Sequence, residues 1–287
     1  MATFRTRRPR PKRLPINRLI PNMLTMGALS AGLTAIYFGL QDRWDAAVWA
    51  IMIAAVLDAL DGRIARMLKG TSKFGAELDS LSDIVSFGVA PAMVNFLWSL
   101  QDTGKAWGWM IALIFVVCCA LRLARFNTAL DKPDLPPWAY NFFTGVPAPA
   151  AAGLSLIPLG LYLSLDLEPL SHPLFVAAVM VGIAAMMVSR FPTFSFKRVS
   201  IPQDYVLLAL LAVGLMVALL VAAPWLTLSV VGIVYVISFV FSWRAYKFLE
   251  HRADMLQRHV RHGEALEDDA PTDAPPASTD TDTDTAP

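Results

Sequence analysis

Four aspartates concentrate the chemistry of this chain. Asp58 and Asp61 lie three residues apart and Asp79 and Asp83 four apart, spacings that put each pair on one face of a helix. Gly62, Ala65, Arg66 and Gly75 stand between them, so that residues 58–83 read D-x2-D-G-x2-A-R-x8-G-x3-D-x3-D. Both pairs adjoin apolar runs long enough to cross a bilayer, where a bare Asp costs about 2.5–3.5 kcal/mol on insertion scales. Four together require a shared cation. With no His or Cys ligand set beside them, oxygen-only ligation favours a hard divalent ion, Mg2+ or Mn2+, completed by water and phosphate oxygens. Two such ions on a phosphate are the equipment of phosphoryl transfer.

The elements that must position these acids are membrane helices. The chain has 287 residues, 56% hydrophobic and 16% charged, against about 25% charged in a soluble domain. That balance excludes an ordinary soluble globular protein. Eight candidate spans, at about 22–40, 44–66, 77–100, 107–126, 144–165, 172–190, 204–222 and 225–247, each come near the ~20 residues that cross the hydrocarbon. The fold class expected is therefore an all-α integral membrane protein with about eight transmembrane helices.

Charge orients the spans. Of the 24 Lys and Arg, all but Arg43 and Lys105 fall on the N-terminal segment, the even-numbered connections or the C-terminal region, which the positive-inside rule assigns to the cytoplasm. Both termini are then cytoplasmic, and both Asp pairs sit at the cytoplasmic ends of the second and third spans. The expected setting is the cell's inner (cytoplasmic) membrane, crossed many times.

Further along the chain the signals are weaker. Residues 1–18 form a basic, Pro-containing cytoplasmic segment, expected to be disordered. Asn22 and Thr25, beside Pro21 at the start of the first span, either cap that helix or face substrate at the level of the acids. Lys69 to Lys73 read as a tight turn. Cys118 and Cys119 are small core residues in an apolar run. Residues 127–143, with three prolines, Trp138 and Tyr140, read as an irregular loop at the membrane interface. The helix after the last span bears His251, His259 and His262 on a solvated face, and the Asp-, Thr- and Pro-rich tail beyond it is expected to be disordered.

The pattern at Asp58–Asp83 resembles the signature of the CDP-alcohol phosphotransferases, membrane enzymes that move a phosphatidyl or related group from a CDP-linked donor to an alcohol. All eight fixed positions are present at the family's spacing. Three longer stretches, Phe74–Pro91, Arg122–Asn127 and Ser189–Lys197, make the chain similar to the members that use L-serine as acceptor. The resemblance implies a six-helix catalytic core followed here by two C-terminal helices: a basic segment 1–18, a core 19–200, an added hairpin 201–250 and a polar tail 251–287. It implies Asp58, Asp61, Asp79 and Asp83 as ligands of two Mg2+ or Mn2+ ions, with Asp83 also as catalytic base or as the group that orients the hydroxyl. Gly62, Ala65, Arg66 and Gly75, together with Asn22, Thr25 and Asp58, would line the nucleotide. CDP-diacylglycerol and L-serine are the implied substrates, a homodimer the implied assembly; membrane lipids are partners and nucleic acid is not.

Acceptor choice must come from outside the shared signature. Serine's carboxylate suits Arg, which can take it in a bidentate fork. Arg122 and Arg125, one turn apart, with Asn127 beside them, are the candidates, followed by Arg190 and Lys197. Anchoring at the inner membrane surface is their other reading. Two alternatives stay open at this level: a sibling enzyme using glycerol 3-phosphate or an inositol phosphate, and a divalent-cation transporter, since acids within a membrane often mark ion paths.

Overall fold

The computed structural model describes residues 19–68, 70, 72–130, 142–189, 192–194 and 205–238. They build an all-α membrane protein. The first six spans are α1 (Leu19–Gly39), α2 (Trp44–Met67), α3 (Lys73–Asp83) continuing through a π turn (Ile84–Val89) into α4 (Ala90–Trp98), α5 (Lys105–Leu130), the pair α6 (Ala148–Ser155) and α7 (Ile157–Leu165), and α8 (Pro173–Val188). Two more follow, α9 (Val206–Ala222) and α10 (Pro224–Ser238). Four of these stretches, among them Lys73–Trp98 as one rod, are long and apolar enough by length and composition to cross a membrane. All described residues belong to the unit Met1–Trp243; a second unit, Arg244–Pro287, lies outside them.

Outside the described residues, too, lie several sequence expectations: the basic segment 1–18, Lys69 of the turn, Trp138 and Tyr140, Arg190, Lys197, and the His-bearing helix and tail.

Local sequence explains where the helices begin and break. Ser72, in extended backbone, accepts a hydrogen bond at 3.0 Å from the Gly75 N–H and so caps α3, satisfying one of the four donors that a helix start leaves open. His172 does the same for α8, its Nδ1 accepting from the Leu174 N–H at 3.3 Å, with Pro173 as the first helical residue. The π turn precedes Pro91, which has no N–H to give to the carbonyl four residues back. The ladder shifts register instead, the Ala90 N–H reaching the Val85 carbonyl. In the fifth span Pro158 produces a break at Leu156 that divides α6 from α7.

Small residues let the first three spans touch. Ala28 and Ala35 of α1 and Ala47, Ala50 and Ala54 of α2 are buried, the close-approach chemistry of membrane helices. A Cβ on Gly32 would stand 2.7 Å from Ser86 Oγ, so the glycine is what admits the π turn against α1. Ser86 and Ser82 then donate to the carbonyls of Ala28 (3.1 Å) and Thr25 (3.2 Å). Cys119 is buried and Cys118 half-buried, both free, as a packing role requires.

Helical periodicity gave no notice of a two-stranded antiparallel ribbon, β1 (Phe142–Thr144) with β2 (Pro192–Phe194), in the register Phe142 to Phe194. It follows that the fifth span starts as a helix at Ala148, several residues later than the apolar run, with Gly145 at φ +79° turning the chain where a Cβ would lie 2.7 Å from the Met187 carbonyl.

Candidate active site

The start of α1, the end of α2 and the start of α3 converge, and with them the four acids. Asp58, Asp61 and Asp79 each present a carboxylate oxygen, all within 4.8 Å of one another. Asp58 and Asp83, one turn farther into their helices than Asp61 and Asp79, come within hydrogen-bonding range of each other. Helix geometry makes this possible, since i, i+3 on α2 and i, i+4 on α3 point along one seam. Asp61 is 4% exposed, and Thr25 Oγ1 lies 2.5 Å from its Oδ2 and 3.1 Å from the Pro21 carbonyl, one proton serving two acceptors. Among the described residues, Asp83 Oδ1 is buried with no hydrogen-bond partner.

These observations test the fit to a divalent cation. Carboxylates held this close repel each other unless a proton or cation lies between them. A buried, partnerless oxygen is a polar atom waiting for a partner. The donor set is oxygen alone, the preference of Mg2+ and Mn2+. The cluster fits such an ion.

Beside the acids opens a cavity of ≈ 180 Å³ lined by Asn22, Thr25, Gly62, Ala65, Arg66 and Gly75, with Asp61 and Asp79 also on its wall. The predicted nucleotide residues are therefore brought together, with Asp58 alone of that set behind the lining. Arg66 folds back toward Gly62, whose Cβ position is 3.5 Å from Arg66 Nη1, and a Cβ on Gly75 would press on Asn22 Oδ1 at 3.0 Å. Both glycines keep the cavity open where a side chain would narrow it. Gly70, Ser72 and Ala76 line it as well; the sequence reading put Gly70 and Ser72 in the turn and gave none of the three a place in the site.

The acceptor candidates separate. Arg122 is half-buried, with Cys119, Asp83 and Tyr235 of α10 in its surroundings, and its guanidinium lies 5.8 Å from the Phe126 ring centre. Arg125 instead donates from Nη1 to the Val188 carbonyl at 2.7 Å, tying α5 to the end of α8. Asn127 donates to Ser80 Oγ at 2.9 Å, next to Asp79 on α3. Tyr235 had no sequence signal, because nothing local ties it to a helix more than a hundred residues earlier.

Comparison with known proteins finds family models and relatives that cover most of the chain. The model of the CDP-alcohol phosphatidyltransferase family matches residues 18–189, and that of CDP-alcohol phosphatidyltransferase 2 matches residues 204–239, spans that carried no signature legible in the sequence. The CDP-diacylglycerol–serine O-phosphatidyltransferase of Mycobacterium leprae is 36% identical over 244 residues, 85% of this chain and 81% of the relative. The protein of that name from Helicobacter pylori is 33% identical over 234 residues, 80% and 94% respectively. That from Bacillus subtilis is 35% identical over 179 residues, 62% of this chain and 92% of its own.

Proposed function

The chain belongs to the CDP-alcohol phosphatidyltransferase family, and from that premise we propose that it transfers the phosphatidyl group of CDP-diacylglycerol to the hydroxyl of L-serine, giving phosphatidylserine and CMP. The carrying observation is that the acid trio and the glycine-walled cavity share Asp61 and Asp79. A diphosphate on the acids and a nucleoside in the cavity are thereby covalent neighbours.

The reaction forms a bond from the serine hydroxyl oxygen to the phosphorus that bears diacylglycerol. The bond from that phosphorus to the bridging oxygen breaks, and CMP leaves with that oxygen and its electron pair. Asp58, Asp61, Asp79 and Asp83 would hold two Mg2+ or Mn2+ ions, which when bound neutralise charge on the diphosphate as CMP departs. Thr25 holds the Asp61 carboxylate in place through its hydroxyl. Asp83, beside those ions, orients the serine hydroxyl and takes its proton, because an alcohol is a weak nucleophile until a base relieves it. Arg66 faces the nucleotide phosphate. Arg122 is the acceptor candidate that this geometry favours for the serine carboxylate, a fork meeting a planar anion near Asp83.

The charge bias of the connections supports a site at the cytoplasmic face of the inner membrane with both termini inside, and the family supports a homodimer. Acids gathered at one end of their helices suit a surface reaction with a lipid headgroup; ion transport would require access from both sides.

The test is direct. Purified protein is incubated with CDP-diacylglycerol, Mn2+ and, in turn, labelled serine, glycerol 3-phosphate and inositol phosphate. Serine is expected to give labelled phosphatidylserine with one CMP per product, and preferential labelling from glycerol 3-phosphate would overturn the acceptor assignment.

A further inference from the structure

Helix α10 lies beyond the spans that carry the acids, yet its place beside them is specific. A Cβ on Gly160 of α7 would stand 2.8 Å from Ser229 Oγ, and one on Gly232 of α10 would stand 2.7 Å from Ile157 Cδ1. A glycine on each helix thus sets the seam between α7 and α10. Trp225 of α10 meets Trp49 of α2 edge to face at 5.4 Å, and an apolar cavity of ≈ 550 Å³ lies among the three helices. The second and eighth spans run the same way through the membrane, so the tryptophan pair sets their register. Ten residues on, about 15 Å at 1.5 Å per residue, α2 has reached Ala59, between Asp58 and Asp61, and α10 has reached Tyr235.

The inward face of α10 carries Trp225, Leu228, Ser229, Gly232 and Tyr235, at spacings of three and four that share one side of a helix. Tyr235 is half-buried at the end of that face, on the same cavity wall as Leu60 of α2 and Phe87, one turn past Asp83. A phenylalanine would supply the same packing. A phenol placed within a membrane also needs a partner for its hydroxyl.

Arg122 reaches this level from α5. Cys119 Sγ lies 3.3 Å from the Cβ position of Gly88 in the π turn. Because the fourth span runs opposite to the third, Arg122, one turn after Cys119, and Asp83, before Gly88, both lie on the cytoplasmic side of that contact. Asp83 and Tyr235 are accordingly both in the surroundings of Arg122, with the Phe126 ring centre 5.8 Å from the guanidinium. A long cationic side chain binds a planar anion better when contacts already made restrict its rotamers.

Resting on the reading of Arg122 as the partner of the serine carboxylate, we propose that Tyr235 is a positioning residue for Arg122, holding the guanidinium between α10 and Phe126 with its fork turned to the acceptor. The eighth span thereby takes part in choosing the acceptor, although every acid and glycine of the signature lies in the second and third.

Tyr235→Phe is the probe, because it deletes the hydroxyl and keeps the ring. Full-length parent, Tyr235→Phe, Arg122→Lys and the double variant are assayed in detergent for serine-dependent CMP release. Tyr235→Phe is expected to raise KM for serine about tenfold, the scale of one lost hydrogen bond, with kcat and KM for CDP-diacylglycerol within about twofold of the parent. In the Arg122→Lys background the same substitution is expected to move KM for serine less than about twofold. Tyr235→Leu serves, with the same expected pattern, if Tyr235→Phe does not fold. Parental KM for serine in the variant overturns the role of Tyr235. A rise shared by both substrates, the mark of loosened packing, overturns it too, as does an equal rise in both backgrounds, which would show Tyr235 acting apart from Arg122. A parent that releases no CMP with serine overturns the reaction and this role with it.

Discussion

Helix α2 borders the acid cluster on one side and an apolar cavity on the other, and the two are built by opposite means. Toward α1 and α3 it presents Asp58, Asp61, Gly62 and Ala65, fixed by specific polar contacts such as Thr25 to Asp61 and Ser72 to Gly75. Toward α6, α7 and α10 it presents Met52, Ala55, Val56 and Ala59, against a mostly apolar lining whose shape is set by glycines and aromatic edges. The difference lies in what each side tolerates. Polar atoms demand particular partners, and an unmet one costs about 1–3 kcal/mol. Apolar walls accept exchange of one hydrocarbon for another at similar volume for under about 1.5 kcal/mol.

Removing one charge while keeping shape breaks the polar side outright. Asp79→Asn is expected to reduce CMP release about a thousandfold or more, the scale of losing a principal electrostatic contributor at a reacting centre, with elution in detergent unchanged. Chelation by EDTA should reproduce the loss in the parent, and added Mn2+ or Mg2+ should reverse it. Activity within tenfold of the parent for Asp79→Asn would remove the acids from the chemistry.

Arg122 sharpens the boundary between donor and acceptor. Arg122→Ala should lower kcat/KM for serine about a hundredfold, near the 2.7 kcal/mol expected for a lost charge-assisted pair, and Arg122→Lys should recover part of it. A rise in KM for CDP-diacylglycerol alone would move this residue to the donor.

The smallest effect is expected from Thr25→Val, which preserves volume and deletes the hydroxyl that meets Asp61. Turnover should fall about tenfold, equivalent to ~1.4 kcal/mol. Equal turnover in parent and variant would leave Thr25 only its bond to the Pro21 carbonyl, a feature internal to α1.

How far the sequence alone reached is visible at particular residues. Asp58, Asp61, Asp79 and Asp83 were legible because a helix fixes which positions share a face, so spacing alone aligns them. The spans were legible because lipid excludes any backbone whose polar groups are not paired within the segment. Ser72 was half-legible, as a turn residue whose capping role needed α3 to start at Lys73. Arg122 and Arg125 looked equivalent, being one turn apart, yet one has Asp83 in its surroundings and the other holds the end of α8. Their separation depends on which neighbours pack against α5, and local spacing carries no such information.

By itself, then, the sequence determined the number and nature of the spans, the acids and their seam, and the glycines that flank them, since all of these follow from periodicity within one helix and from the solvent around it. Only the tertiary structure decided that α10 would close a chamber against α2 and α7, that β1 would pair with β2, and that Tyr235 would stand near Arg122. Each of these joins residues far apart along the chain, and such contacts are fixed by how side-chain volumes fit when helices pack.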